Sequence, residues 1–175
     1  MLRSHAGGVS LLLVIAVLVL AWGGVEPVAS WWLSGLAFAK DAQASAVAKV
    51  REAESNKELH IESDILEYSN AARAEFGVPL LVRSDHLDSL ASAHCHSMAT
   101  SDRLSHDGFD QRAASARSMG LLSFGENCAE GYYSGQSAVS GWMDSPGHKA
   151  NILDSAYRLT GIAYEDGYAV QVFGG

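Results

Sequence analysis

Residues 158–173, RLTGIAYEDGYAVQVF, decide the fold class. Two apolar runs flank Asp166-Gly167, a strong signal for a two-residue hairpin turn. In the second run Tyr168, Val170 and Val172 face one way, and Ala169, Gln171 and Phe173 face the other. The segments before it have the spacing of helices. Helices first and mostly antiparallel strands last describe an α+β domain with helices packed on a sheet.

The upstream pattern supplies five helices. Ile65, Leu66, Ala72 and Phe76 recur at helical spacing, and Gly77 with Pro79 closes a helix over about 63–76. After a connector from Val78 to Val82, Ser84 or Asp85 caps a second helix running to Ser101. Its stripe is Leu87, Ala91, His94 and Met98. A third spans 109–119 and ends at Gly120. Residues 121–132, LLSFGENCAEGY, read as a strand with a turn. A fourth helix spans 135–144 and contains Ala138, Val139 and Trp142. SPGHKANIL, residues 145–153, forms the fifth, with Ser145 as N-cap and Pro146 at the first helical position.

Residues 1–39 stand apart. Arg3 and His5 precede the apolar run Val9–Trp22, Gly23 and Gly24 break it, and Ala37-Phe38-Ala39 or Val28-Ala29-Ser30 supplies small residues for cleavage. This is the pattern of a signal peptide. Uncleaved, the run approaches the roughly 18–20 residues that span a bilayer and would anchor the chain. Residues 40–61, rich in Ala and charge, read as a linker or a weak helix, and residues 62–175 as the domain. Either fate of the leader predicts a secreted or periplasmic domain, or one held at the membrane by its N-terminal segment.

The 175-residue chain carries a formal charge of −8. Loss of Arg3 and Glu26 with the leader leaves that unchanged. An acidic exported domain has no electrostatic footprint for nucleic acid, and its scattered basic residues make no patch for anionic lipid heads. Membrane contact is expected only through an uncleaved N-terminal segment. Cys95 and Cys128 could form a disulfide in an oxidising compartment or remain buried thiols. Their spacing is not that of a dithiol redox motif.

The chain contains no phosphate-cradling glycine loop, no H-E-x-x-H and no G-x-S-x-G. What remains are polar residues at structural corners: Ser105-His106 after the second helix, Gly125-Glu126-Asn127 at the strand, and His148 in the last helix. Two imidazoles and a carboxylate can ligate zinc or a similar divalent ion. Without metal, Glu126 could orient a histidine and raise its pKa, giving a general base. Separations of 20 and 22 residues imply no geometry by themselves. His94 lies on the apolar stripe and reads as a core histidine, while His96 points about 200° away from it around the helix. His86 reads as an exposed helix residue, His60 has no evident partner, Trp142 reads as core, and Asp144 is most simply a helix-end residue.

Four blocks in register resemble the CAP superfamily, or SCP domain, and most closely its bacterial branch. They are NAARAEFGVPLL with Asn70, Arg73, Gly77 and Leu81; ASAHCHSMA leading into Ser105-His106-x-Gly108; Gly125-Glu126-Asn127-x-Ala129; and GWMDSPGHKANIL followed by Gly161-Ile162 and VQVFG. The resemblance covers residues 62–174. It implies an α-β-α sandwich with a central, mostly antiparallel sheet, and a cleft lined by two histidines and two acids that binds a divalent metal in several members. By position His106 and His148 are the histidines and Glu126 is one acid. Members with the second acid place a glutamate where this chain has Ser145. Asp144 is one residue short and could substitute only if its shorter side chain reached the cleft.

The resemblance implies a binding module for a lipid, sterol or protein ligand, with a polar His/Glu cleft that could hold a divalent metal such as zinc. A metal- or histidine-assisted hydrolase, with His106, Glu126 and His148 as the catalytic candidates, is the alternative. A polar network that only fixes the cleft loops is the third reading.

Overall fold

Asp166 and Gly167 both take positive φ, 48° and 90°. That is the turn whose twist matches a two-residue hairpin, and glycine at the second position adopts it without steric cost. The computed structural model describes residues 26–175, with side chains from residue 34. The apolar run and most of the expected leader therefore lie outside the described residues.

The chain divides into two units, residues 1–52 and 53–175. The described residues of the first are helical and belong to α1 (Glu26–Glu75). Residues 40–61 are thus helix, the second of the two conformations expected for them. Among the described residues no helix is long and apolar enough to cross a membrane.

The second unit holds the rest of α1 and every other element. These are β1 (Val82–Arg83), α2 (Asp85–Ser101), α3 (Phe109–Ser118), β2 (Phe124–Glu130), α4 (Gly135–Asp144), α5 (Pro146–Leu153), β3 (Leu159–Glu165) and β4 (Tyr168–Gly174). The sheet order is β1-β3-β4-β2. β3 and β2 flank β4 and pair with it antiparallel, and β1 adds a short parallel pairing to β3. Sequence reading left β1 inside a connector, because two residues are too few to show a period.

Side chains alternate across β4 as its sequence requires. Tyr168, Val170 and Val172 pack with Leu87, Ala91, Cys95 and Met98 of α2 and Ala116 of α3. Ala169 and Phe173 pack on the other face with Ile61 and Ile65 of α1, Trp142 of α4 and Ile152 of α5. The result is the expected α-β-α sandwich, with a core on each side of one sheet. Gln171 is the polar exception in the middle. It is fully buried, accepts from Ser69 Oγ at 3.1 Å, and faces Thr160 Oγ1 at 3.4 Å.

Beyond the two residues of β1, side chains cover the outer edge of β3. Asp88 accepts from Ile162 N at 2.9 Å, Arg83 donates to Ile162 O at 3.0 Å, and Glu62 accepts from Tyr164 N at 3.3 Å. They take the place of a strand at Ile162 and Tyr164, one of the ways an exposed edge is protected.

Arg73 and Asn70, one turn apart near the end of α1, explain the N-x-x-R spacing. Asn70 presents an amide to Leu81 as a strand would, accepting from its N–H at 2.8 Å and donating to its carbonyl at 3.0 Å. Arg73 is fully buried. Its Nε donates to Pro79 O at 2.6 Å, Nη1 to Ile152 O at 2.6 Å and Asp154 O at 2.9 Å, and Nη2 to Tyr157 O at 3.0 Å. Burial lowers its pKa, yet a guanidinium stays charged in a protein. Arg73→Met removes all four bonds, leaves Pro79 O and Ile152 O without this donor, and is expected to cost about 3 kcal/mol in urea denaturation. Arg73→Lys should recover little of that, since an ammonium lacks the planar fork.

Candidate functional site

Glu126 lies on β2, the edge strand opposite β1. Its neighbour Asn127 points to the other face of the sheet, because residues alternate along a strand. The two side chains therefore recruit different helical layers to one edge.

On the α2/α3 face Glu126 is wholly enclosed, with 0% of its side chain exposed. Arg112 of α3 grips it with a two-pronged fork: Nε donates to Oε2 at 2.6 Å and Nη2 to Oε1 at 2.8 Å. His106 Nδ1 sits 2.9 Å from Oε1. The rest of the imidazole reaches solvent, with 54% of the side chain exposed.

The loop that carries His106 is pinned at several points. Asp102 turns the chain out of α2 with φ 48°. His94 Nε2 lies 2.8 Å from Ser105 O, and Arg112 Nη1 donates to Asp107 O at 2.8 Å. Gly108 enters α3 with φ 76°, and a Cβ there would also press on Arg112 Nη1 at 3.2 Å. The Ser-His-x-Gly spacing thus serves both the loop and the arginine beneath it.

On the other face Asn127 is fully buried and donates to His148 O at 3.1 Å. Asn151 donates to Asn127 Oδ1 at 2.9 Å and to Glu126 O at 3.2 Å. These bonds clamp the first turn of α5, and with it His148, to the edge of β2. Gly125 leaves room for the Tyr157 hydroxyl and for Asn151, where a side chain would collide. Trp142 donates its indole N–H to Cys128 O at 3.3 Å from within the core.

Ionisation follows from these contacts. Burial alone would raise the Glu126 pKa, but the hydrogen bonds from Arg112 and His106 and the Arg112 charge outweigh it and hold the carboxyl below its ordinary value. Burial lowers the His148 pKa, and the nearby His106 charge lowers it further. Burial likewise lowers that of His94.

Cys95 and Cys128 are free and buried. The disulfide considered from the sequence is absent, and each thiol has a different neighbour. Cys95 Sγ donates to Tyr168 O at 3.3 Å, and Cys128 Sγ lies 3.7 Å from His106 Nδ1. Burial pushes the Cys95 pKa to about 12. Burial, followed by the Glu126 charge, raises that of Cys128 as well. Both therefore behave as small apolar groups.

The structure joins His106 to Glu126 directly, and His148 is near enough for its imidazole to feel the His106 charge. Asp144 is exposed at the end of α4. Among the described residues no hydrogen bond or ion pair links it to the other three. Ser145 is the N-cap of α5 by backbone position, with no capping bond from its side chain. His94 is the buried histidine expected. His96 lies outside it, 2.8 Å from Glu165. His86 is half-buried, with Ser115 Oγ at 3.3 Å, and exposed His60 lies 3.9 Å from Asp64.

Arg112 escaped the sequence reading. Its signal was present: Phe109, Arg112, Ala113 and Ala116 form the stripe of α3, and an arginine on a buried stripe demands hydrogen-bonding partners.

Comparison with known proteins places these features in context. The model of the cysteine-rich secretory protein family, CAP, matches residues 66–173. The uncharacterized membrane protein YlbC of Bacillus subtilis is 30% identical over 116 residues, which are 64% of this chain and 34% of YlbC. The uncharacterized protein YkwD of the same organism is 28% identical over 107 residues, 59% of this chain and 42% of YkwD. The chain thus spans well under half the length of either relative. Among solved structures, an extracellular SCP-domain protein from Bacillus anthracis superposes with a TM-score of 0.62 at 27% identity, covering 67% of this chain and 41% of that one. An outer surface protein from Borrelia burgdorferi, at 18% identity and a TM-score of 0.55, covers 62% of this chain and 87% of its own, and shows the fold alone.

The lowered Glu126 pKa links the site to stability. A carboxyl depressed in the folded state contributes stability above its unfolded pKa and loses that contribution as pH falls through the folded value. The loss is expected to begin near the ordinary value of 4.5 and to continue below it. Urea midpoints measured from neutral to acid pH should therefore fall more steeply for the wild type than for Glu126→Gln. Parallel curves would mean that Glu126 is not the group responsible.

Proposed function

Because the chain belongs to the cysteine-rich secretory protein family, CAP, we propose that it is an exported binding module whose ligand docks on the polar cleft of His106 and His148. One observation carries this reading. Glu126, the acid of the cleft, is enclosed and committed to Arg112 and His106. It is a framework group, and the surface it supports is an imidazole offered to solvent. Such a surface recognises a partner through hydrogen bonds. The lipid, sterol or protein identity of the ligand is part of the proposal, as is export. Export is supported by the apolar leader and by neighbours described as extracellular or outer-surface proteins.

The divalent ion that the family resemblance implies was tested against the side chains present. Glu126 does not fit as a ligand, since it is wholly enclosed and the Arg112 guanidinium lying across both its oxygens would repel a second cation. The buried group of His94, Glu126 and Cys128, whose ligand atoms lie within 4.8 Å of one another, fails for the same reason. There His94 Nε2 is also turned to Ser105 O. The imidazoles of His106, through the ring nitrogen remote from Glu126, and of His148 are the remaining nitrogen donors proposed to hold it. An ion held there would act as a Lewis acid toward a ligand oxygen. The chain's own part is to orient His106 from behind, as carboxylates do for ligating histidines.

That same outward nitrogen supports hydrolysis as a second reading, with His106 as general base toward water. Against it, the position of the relatives' second glutamate is Ser145 here, and among the described residues no hydrogen bond or ion pair ties Asp144 to His106, Glu126 or His148.

Labelled cholesterol and labelled palmitate are expected to bind saturably, and His106→Ala or His148→Ala should weaken binding about tenfold. Flat isotherms for both would exclude the lipid ligands and leave a protein partner. Release of fluorescent peptides from casein that His106→Ala abolishes would replace the binding reading with the hydrolytic one. Zinc calorimetry on the wild type and His148→Ala tests the ion separately, with equal heats removing His148 as a ligand.

A further inference from the structure

We propose that Arg112 is the positioning residue of the cleft, fixing the His106 imidazole in the tautomer with its proton on Nδ1 so that the bare Nε2 faces the ligand. The inference deepens the reading of His106 as a cleft residue, but stands on geometry independent of what binds there.

The logic starts from the fork. A guanidinium has donors only. Arg112 donates Nε–H to one oxygen of Glu126 and Nη2–H to the other. Both oxygens must then accept, which is the arrangement of an ionised carboxylate and a strong one. The Oε1 atom has a second lone pair, and His106 Nδ1 lies 2.9 Å from it. A carboxylate oxygen can only accept, so the proton between them belongs to Nδ1. In a neutral imidazole Nε2 is then left without one.

A protonated Glu126 would do the opposite. It could donate to Nδ1, and the imidazole proton would move to Nε2. The choice between an acceptor and a donor at the ligand-facing nitrogen therefore turns on whether Glu126 keeps its charge inside the protein. A buried carboxylate does so only with a paired cation. Arg112 is that cation, with 11% of its side chain exposed. Its third prong, Nη1 to Asp107 O, ties it to the backbone of the loop that carries His106. Position and tautomer are thus set by one side chain. His94 braces the same loop through Ser105 O, but it lies 3.8 Å from Glu126 Oε1 and offers no fork. Cys128, 3.7 Å from Nδ1, is a weak sulfur partner beside a carboxylate.

Long-range proton–nitrogen spectra of the uniformly 15N-labelled full chain test this at mildly alkaline pH, where an ordinary imidazole is neutral. His106 is assigned by its absence in His106→Ala. The wild type should show Nδ1 at a protonated-nitrogen shift and Nε2 at a bare one. Arg112→Met should collapse that separation, and Arg112→Lys, which keeps the charge without the fork, should retain most of it. A wild-type His106 with its proton on Nε2 overturns the proposal, whether or not the variants fold. So does a folded Arg112→Met whose His106 shifts match the wild type. Neither result depends on sterol, fatty acid or metal binding, so failure here and failure of the binding reading are distinguishable.

Discussion

Four backbone carbonyls converge on one buried guanidinium, and the layers of the domain meet there. Arg73 leaves α1 and binds the connector at Pro79, the end of α5 at Ile152 and Asp154, and the chain just before β3 at Tyr157. None of these partners is a carboxylate. The positive charge is dispersed over carbonyl dipoles, and the buried carbonyls gain a donor that water cannot supply. A salt bridge could tie two points together, whereas this fork ties the end of α1 both to the nearby connector at Pro79 and to the remote stretch 152–157. It fixes where α5 ends and where β3 begins, and the strand then carries its register into β4.

The cleft depends on that placement at one remove. β4 orders the sheet, and β2 pairs along its full length with Glu126 opposite Val172 and Asn127 opposite Gln171. Alternation along β2 sends Glu126 toward α3 and Asn127 toward α5. A shift of one residue would exchange them, burying the amide beside Arg112 and turning the carboxylate toward a helix carbonyl. Register is therefore a chemical requirement of the site. It is enforced by the hydrophobic alternation of β4, whose two faces pack into different cores.

This explains what the sequence made legible and what it did not. The hairpin, the two faces of β4 and the helices α2 to α5 were readable because period and turn chemistry are local. The stripe of α2 was read through His94 correctly, since burial of a histidine needs only one nearby acceptor. β1 was not readable, being two residues long and placed by Asn70 through Leu81. The pairing of His106 with Glu126 came from family resemblance, because contacts over 20 residues leave no trace in spacing. Arg112 was the missed signal, and Arg73 was named only as part of a family motif, without its role. Arg73 and Arg112 both stand on buried stripes, where a charge demands partners. Local pattern cannot say that carbonyls satisfy the first and a carboxylate the second.

The same contrast bears on what the cleft can do. A catalytic pair of acids needs carboxyl groups free to exchange protons with substrate or water. Here the one acid at the centre of the site has lost that freedom to Arg112, and the position where relatives carry another is Ser145, whose side chain does not even cap its own helix. A carboxylate locked in a guanidinium fork is a poor proton carrier and a good template. It holds a fixed negative charge behind an imidazole, and through that imidazole it defines one hydrogen-bonding direction at the surface. Specificity for a ligand can be built from such a direction, with His148 set beside it by the Asn127 clamp. Glu126 is held in one protonation state as a template, so any proton transfer at this site falls to the His106 imidazole in front of it.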